Sequence, residues 1–283
     1  MPVAVVTDST AHLPAELAEH HAITVVPLYV LIDDASWLDG HDIGSAELVA
    51  ALRRKSTVTT SMPTPEELAR VYRQALDGGA DAVVSVHISS ELSGTWGAAV
   101  RAAGEVDPDR VRVVDARTTA MGLGFAAIAA AQASAAGEDA EGVEAAAVST
   151  SDRSRTVFAV ETLEYLRRGG RIGSAAAFFG TALAVKPLLH IEQGRIVPLE
   201  KVRTMGRAVS RLVDLAAQAA GAGRVELAVH HLARPERAEQ VARQLRERLP
   251  NAERCVVTEL GAVIGAHTGP GALGIVVQRH EDR

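Results

Sequence analysis

Small hydroxyl side chains are the residues of this chain whose types and spacing best suit the binding of an anion. Thr60 and Ser61 come just before a predicted helix, whose free N–H groups and dipole favour negative charge at its start. Ser93 and Gly94 lie between a predicted strand and a predicted helix, and a glycine lets a ligand approach the backbone closely. Because open α/β sheets bind ligands at the carboxyl ends of their parallel strands, both clusters predict a ligand site at that edge.

A third group, His267 and Thr268, stands near the end of the chain in the Gly/Pro-rich run AHTGPG. We predict that His267 lies in a loop there, where its imidazole could donate a hydrogen bond to a carboxylate or, when protonated, pair with it. Each of the three groups also has a purely structural interpretation, as strand ends, helix caps or a surface histidine.

A long alkyl carboxylate would suit these groups. Each buried CH₂ contributes about 0.8 kcal/mol, whereas a buried carboxylate needs several hydrogen-bond donors to offset its desolvation. Aromatic residues make up only 3% of the chain, so a tunnel would be lined by aliphatic side chains. The same aliphatic composition is also typical of an ordinary core.

The strands and helices that must position these groups can be read from the sequence pattern, which predicts an α/β fold of two domains. Residues 1–155 alternate Val/Ile-rich strands with amphipathic helices, which favours an open, mostly parallel sheet. Thr64, Pro65 and Glu67 predict a capping box and the start of a helix. Residues 156–283 predict a mixed sheet flanked by helices, with a hairpin turn at Gln193-Gly194.

Composition excludes several classes of protein. A net charge of −6 argues against a nucleic-acid binder and allows at most transient membrane contact. The uncharged run from Thr118 to Gly137 is rich in alanine and glycine, so we predict a buried helix rather than a membrane span. A single cysteine, Cys255, forms no internal disulfide, and we expect a cytoplasmic protein.

The chain resembles the DegV family of bacterial fatty acid-binding proteins over nearly its whole length. The resemblance rests on a series of motifs, in this order: DST (8–10), TTSMPTP (59–65), HISSELSGTWGAA (87–99), VVDARTTAMGLG (113–124), LEYLRRGGRIG (163–173), KPLL (186–189), KVRT (201–204) and HTGPGALG (267–274). The order and spacing of these motifs make the resemblance specific.

The resemblance implies that one fatty acid is buried between the two domains. Its carboxylate would be held by the hydroxyl groups and the histidine, namely Thr60, Ser61, Ser93 with Gly94, His267 and Thr268. The resemblance further implies that the protein presents the acid to a separate ATP-dependent kinase, which makes an acyl-phosphate for phospholipid synthesis, and that Arg171 and Arg203 would contact this kinase. The resemblance implies neither catalysis by this chain nor a cofactor other than the bound acid. Two residues depart from the family pattern: Met62 replaces a frequent glutamine, and Glu91 replaces a frequent glycine, so Glu91 should face solvent.

Other functions remain open at this stage. A serine hydrolase would use Ser93, His267 and Asp8, but the G-x-S-x-G motif is absent. A phosphoryl carrier would use His267. A metal site would draw on the acidic loop that contains Asp33, Asp34, Asp39, His41 and Asp42, although the irregular spacing favours a solvated loop. The G-x-x-x-x-G-K-[ST] motif, which would indicate intrinsic ATP chemistry, is absent from the sequence.

Overall fold

The computed structural model describes residues 2–178 and 185–280. The chain groups into two compact units. The first unit comprises Met1–Tyr29 and Ser61–Asp152, and the second comprises Val30–Thr60 and Arg153–Arg283. The boundary predicted at residue 155 lies close to residue 153, where the chain enters the second unit for the second time. The sequence did not predict that residues 30–60 also belong to the second unit.

Strands and helices follow one another along the described residues. The strands are β1 (Val3–Asp8), β2 (Ile23–Val26), β3 (Tyr29–Ile32), β4 (Ala35–Leu38), β5 (Val58–Ser61), β6 (Ala82–His87), β7 (Val111–Asp115), β8 (Ser154–Ala159), β9 (Lys186–Glu192), β10 (Arg195–Val202), β11 (Val225–His231), β12 (Ala252–Glu259) and β13 (Leu273–Arg279). The α-helices are α1 (Ala15–His20), α2 (Ser45–Arg53), α3 (Pro65–Asp77), α4 (Thr95–Val106), α5 (Met121–Ala135), α6 (Ala140–Arg153), α7 (Glu164–Arg168), α8 (Met205–Ala220), α9 (Pro235–Arg248) and α10 (Ala262–Thr268). Short 3₁₀ helices cover Ser9–Ala11 and Gly173–Phe178.

The first unit is built on a four-stranded parallel sheet with the order β2-β1-β6-β7. Helices α3 and α4 share one apolar core with the strand residues Val6, Val83 and Val111. Helix α5 packs against β1 and β6, and ten of its fifteen residues are buried. The prediction of a buried, tightly packed helix after Thr118 is therefore confirmed, as is the parallel sheet.

The capping box predicted for α3 is present. The Thr64 side chain accepts a hydrogen bond from the Glu67 N–H at 3.2 Å, and the Glu67 carboxylate accepts from the Thr64 N–H at 2.8 Å. Pro65 occupies the first helical position, where its missing N–H costs nothing. Local sequence therefore fixes where this helix begins.

The second unit contains a six-stranded mixed sheet with the order β10-β9-β8-β13-β11-β12. β11 and β12 are parallel, and the other neighbouring strands are antiparallel. Gln193 and Gly194 both have positive φ between β9 and β10, as a tight hairpin turn requires. Helices α8 and α9 pack against the sheet in a single large core. The predicted mixed sheet and hairpin are confirmed.

Residues 30–60 add a smaller structure to the second unit. β4, β3 and β5 form a three-stranded sheet, and α2 lies between β4 and β5 in the chain. Helix α2 packs against α10. This segment therefore belongs to the surroundings of the helix that carries His267. None of the helices among residues 2–178 and 185–280 is long and apolar enough to cross a membrane.

Candidate functional site

His267 lies on a helix, and the prediction that it lies in a loop was wrong. It is the sixth residue of α10, which ends at Thr268 and is followed by Gly269, a residue with φ of +74°. The Gly/Pro-rich residues that suggested a loop only end the helix. The apolar residues before His267 form it, because they pack against neighbouring side chains despite two glycines in GAVIGA. One of these contacts joins Gly265 to Leu48 of α2, so closely that a Cβ at position 265 would lie 2.5 Å from the leucine side chain.

His267 forms a hydrogen bond with Thr60, the most direct link between two predicted site residues. Thr60 Oγ1 and His267 Nε2 are 2.8 Å apart, although 207 positions separate them in the chain. Both residues are partly buried. Burial, and secondarily the positive charge of Arg171, lowers the pKa of His267 to about 4. The imidazole is therefore neutral at pH 7.

The other ring nitrogen of His267 faces the backbone. His267 Nδ1 is buried and has no hydrogen-bond partner among the described residues. Gly169 packs against this nitrogen so closely that a Cβ at position 169 would overlap it. The Gly169 carbonyl in turn accepts a hydrogen bond of 2.6 Å from Arg171 Nη1. Sequence reasoning did not assign Gly169 to the site, because a glycine after a short helix also fits an ordinary helix end.

The remaining predicted residues of the second unit lie in different settings. The Thr268 hydroxyl donates to the carbonyl of Ile264 on its own helix at 3.1 Å, and the residue is buried. Arg203 is exposed just before α8, whose first turn is capped by Thr204. Arg171 is partly buried, and its guanidinium contacts the turn at Gly169. Thr268 thus has a local partner, whereas Arg203 is exposed.

In the first unit, Gly94 lies against Met62, the residue that follows Ser61, and Ser93 precedes Gly94 in the chain. Ser93 Oγ lies 2.8 Å from Thr95 Oγ1 and accepts a hydrogen bond from the Thr95 N–H at 3.3 Å, at the start of α4. A Cβ at Gly94 would lie 2.5 Å from the sulfur of Met62. The exposed side chain of Ser61 bonds only weakly to the Met62 carbonyl, at 3.4 Å. The segment that follows Ser61 therefore lies against the start of α4 within this unit.

The two departures from the family pattern have different outcomes. Glu91 is exposed, as the sequence predicted. Met62 is also exposed, and its thioether covers Gly94. A flexible methionine there can move aside, so it does not block the N-terminal end of α4.

The hydrolase alternative fails on the partners of its proposed acid. Asp8 Oδ2 lies 3.0 Å from His87 Nδ1, and His87 Nε2 lies 2.7 Å from Ser85 Oγ. All three residues are fully buried. Asp8 is therefore committed to His87 and not to His267, and Ser85 has no access to a substrate. Burial alone would raise the pKa of Asp8, but hydrogen bonds from His87, Thr10 and Ile88 outweigh it and hold the pKa below its ordinary value. The arrangement stabilises the ends of β1 and β6.

The phosphoryl-carrier and metal alternatives gain no support. Thr60 occupies Nε2 of His267, and Nδ1 is buried against Gly169, so neither nitrogen is presented to a phosphodonor. In the described part of the chain, no group of three or more His, Cys, Asp or Glu side chains is arranged to hold a metal ion. Asp39, which the sequence offered as a ligand, is instead buried and bonds to the backbone of Ala262.

Comparison with known proteins identifies the family. The family model described as "Uncharacterised protein, DegV family" matches residues 2–280. The chain belongs to the DegV family. A DegV domain-containing protein of Streptomyces coelicolor is 54% identical over 275 residues, which cover 97% of this chain and 98% of the relative.

Two solved DegV structures share the fold closely. A DegV family protein from Thermus thermophilus, described by its fatty acid binding, is 36% identical with a TM-score of 0.94, covering 99% of this chain and 100% of that one. DegV from Bacillus subtilis, described as a fatty acid-binding protein, is 35% identical with a TM-score of 0.90 and the same coverage.

Proposed function

We propose that this DegV protein binds a single long-chain fatty acid in a buried tunnel and holds its carboxylate with Thr60, Ser61, Ser93, Gly94, His267 and Thr268. The observation that carries the proposal is the hydrogen bond between Thr60 and His267. It supplies a partly buried hydroxyl oriented by a neutral imidazole, beside the largely buried helix α10. The fatty acid binding described for the Thermus and Bacillus relatives supports the same ligand class.

The protonation state of His267 determines how the Thr60 hydroxyl can act. A fatty acid carboxylate only accepts hydrogen bonds, so Thr60 must donate to it. If Nε2 of His267 carries the proton and donates to Thr60 Oγ1, the hydroxyl hydrogen is free for the ligand. The opposite tautomer would use that hydrogen on Nε2 and leave a buried Nδ1–H without an acceptor. Ligand binding therefore requires the Nε2–H tautomer.

The remaining head-group donors would come from the start of α4, from Ser61 and from Thr268. Ser93 and Gly94 stand at the N-terminal end of a twelve-residue helix, where backbone N–H groups and the helix dipole favour a carboxylate. Ser61 is exposed and commits its hydroxyl only to a weak bond, so it can turn toward the ligand. Thr268 would contribute by releasing its bond to Ile264.

The decisive experiment is the identification of bound lipid. Mass spectrometry of an organic extract of the purified, denatured protein is expected to show a long-chain fatty acid at about one per chain. Thr60→Val, which keeps the shape but removes the hydroxyl, is expected to reduce that amount. Wild-type protein that releases no fatty acid, and takes up none when incubated with stearate, would contradict the proposal.

We further propose that the protein acts in the cytoplasm as a substrate carrier rather than as an enzyme, and presents the carboxylate to a separate fatty acid kinase for acyl-phosphate formation. Exposed Arg203 and partly buried Arg171 would contact that partner. Arg203→Ala is expected to slow acyl-phosphate formation by an added kinase and to leave stearate binding unchanged. An unchanged rate at limiting protein concentration would argue against Arg203 as a kinase contact.

A further inference from the structure

The acidic loop at residues 38–43 has a role that its sequence did not indicate. Asp39 in this loop is only 3% exposed, and its Oδ1 accepts a hydrogen bond of 2.8 Å from the N–H of Ala262. Ala262 is the first residue of α10 and lies 223 positions further along the chain. The carboxylate thus stands at the start of the helix that carries His267.

Helix α10 has no cap of its own. The residue before it is Gly261, which has no side chain that could accept a hydrogen bond from the first turn. The first N–H groups of any helix lack partners within the helix, and a carboxylate both accepts from them and interacts favourably with the helix dipole. Asp39 therefore provides, from a distant segment, the cap that the local sequence omits.

The loop holds Asp39 in a fixed place. Asp42 Oδ2 accepts a hydrogen bond from the Leu38 N–H at 3.0 Å, and the Leu38 carbonyl accepts from the Asp42 N–H at 2.9 Å. The Gly40 N–H donates to the Ile43 carbonyl at 3.0 Å, and Gly40 has a φ of +79° that suits glycine. The exposed acid of the loop thus closes the turn, while Asp39 points inward to α10.

A helix of seven residues has few internal hydrogen bonds, so contacts with its surroundings must position it. Its C-terminal end is fixed at Gly269, against which the ring of Tyr165 packs with no room for a side chain. Its N-terminal end is fixed by Asp39. We propose that Asp39 is a positioning residue: by capping α10, it sets the place of the His267 imidazole and thereby the hydrogen bond to Thr60. The consequence for ligand affinity rests on the proposed fatty acid binding.

Three single variants test this role. Asp39→Ala removes the acceptor, Asp39→Asn keeps one acceptor oxygen, and Asp34→Ala removes an exposed acid from the same segment as a matched control. Binding of stearate labelled with ¹³C at its carboxyl carbon gives the affinity, and ¹⁵N spectra of histidine-labelled protein give the His267 tautomer. Asp39→Ala is expected to shift the His267 signals and to weaken stearate binding roughly five- to tenfold, because α10 is correctly placed in a smaller fraction of molecules. Asp39→Asn is expected to bind within about threefold of wild type, and Asp34→Ala is expected to behave as wild type.

A rescue variant separates positioning from general destabilisation. Gly261 has extended backbone angles (φ −64°, ψ 174°), which suit a serine cap. Adding Gly261→Ser to Asp39→Ala is expected to restore both the His267 signals and the affinity, since a local hydroxyl then caps α10. If Asp39→Ala alone folds poorly, the His267 signals and the stearate affinity are compared between Asp39→Asn, the rescued double variant and wild type.

The two readouts keep this proposal distinct from the proposed function. Unchanged His267 signals in Asp39→Ala would overturn the positioning role, whatever happens to binding. Failure of Gly261→Ser to restore the His267 signals would also overturn it, because Asp39 would then not act on His267 by capping α10. A wild-type protein that binds no stearate would refute the proposed function, while the His267 signals would still decide the role of Asp39.

Discussion

The backbone of Gly169 lies directly against the imidazole of His267, with no space for a side chain between them. Gly169 has a φ of −77°, which any residue can adopt, so glycine is needed here for space and not for backbone freedom. Its carbonyl also accepts a hydrogen bond from Arg171. The turn at residues 169–171 therefore touches His267 on one side and carries a predicted kinase contact on the other.

Gly169→Ala is expected to displace the His267 ring and to break its bond with Thr60. Losing an oriented hydrogen bond to a charged ligand costs roughly 1.5–3 kcal/mol, so stearate affinity should fall by about one to two orders of magnitude. Isothermal titration or a fluorescent fatty acid displacement assay would measure the change. Gly104→Ala in α4, where an added Cβ meets nothing within 4 Å, is the control and should bind normally. Equal affinities for the two variants would refute this prediction.

Acid is expected to destabilise the protein well above the range in which carboxylates titrate. Burial lowers the pKa of His12 to about 4, although the charge of Asp8 partly opposes this shift. The pKa of His267 is also lowered to about 4. In the unfolded chain both histidines titrate near 6.5, so the folded state binds fewer protons between pH 6.5 and 4 and loses stability as the pH falls. Asp8 adds little above about pH 5, because an aspartate is ionised there in the folded and the unfolded chain alike. Its lowered pKa makes the folded state lose further stability only as the pH falls below that value.

Denaturant unfolding at pH 7 and pH 5 would measure this effect. Each of the two histidines is expected to contribute on the order of 2 kcal/mol to the loss of unfolding free energy between these pH values. His267→Gln should remove about half of that combined loss, because glutamine does not titrate. A variant with the same pH dependence as wild type would show that His267 is not buried in its neutral form.

Local signals made part of the fold predictable. Thr64, Pro65 and Glu67 act on the same turn of helix, and Gln193-Gly194 encode a hairpin turn by their tolerance of positive φ. The parallel and mixed sheets were predictable because their buried strands are continuous Val/Ile-rich runs bounded by turns. In these cases the interactions that decide the structure lie within a few residues.

The setting of His267 could not be predicted in the same way. Helix α10 has a glycine-rich sequence, no local cap and a length of seven residues, so its own residues favour a loop. It forms because Leu48 and Asp39, more than 200 positions earlier, pack against it and cap it. The candidate site residues were indicated by the hydroxyl clusters and by the family resemblance, whereas the pairing of Thr60 with His267 required the structure.

Ser93→Ala is expected to weaken retention of the fatty acid without unfolding the chain. The Ser93 hydroxyl bonds to Thr95 at the start of α4, so its loss costs about 1 kcal/mol of stability, as for other hydrogen bonds. The lost donor to the ligand carboxylate should reduce affinity about tenfold or more. Ser90→Ala, in the same loop but bonded to Asp115 on an exposed surface, is the matched control. Unchanged lipid content in purified Ser93→Ala would argue against Ser93 as a head-group contact.

Asp8→Ala is expected to destabilise the first unit by a large amount. Its carboxylate accepts hydrogen bonds from His87 Nδ1, the Ile88 N–H and Thr10, and His87 is linked through Ser85 to the hydroxyl of Tyr72. Because these groups are buried, removing the acceptor leaves several donors unsatisfied, at a cost of roughly 3–5 kcal/mol. The free energy of unfolding in urea measures the loss, and Asp81→Ala, which removes an exposed carboxylate, serves as the control. A change below about 1 kcal/mol would mean that water replaces the carboxylate, and that the ends of β1 and β6 do not depend on this network.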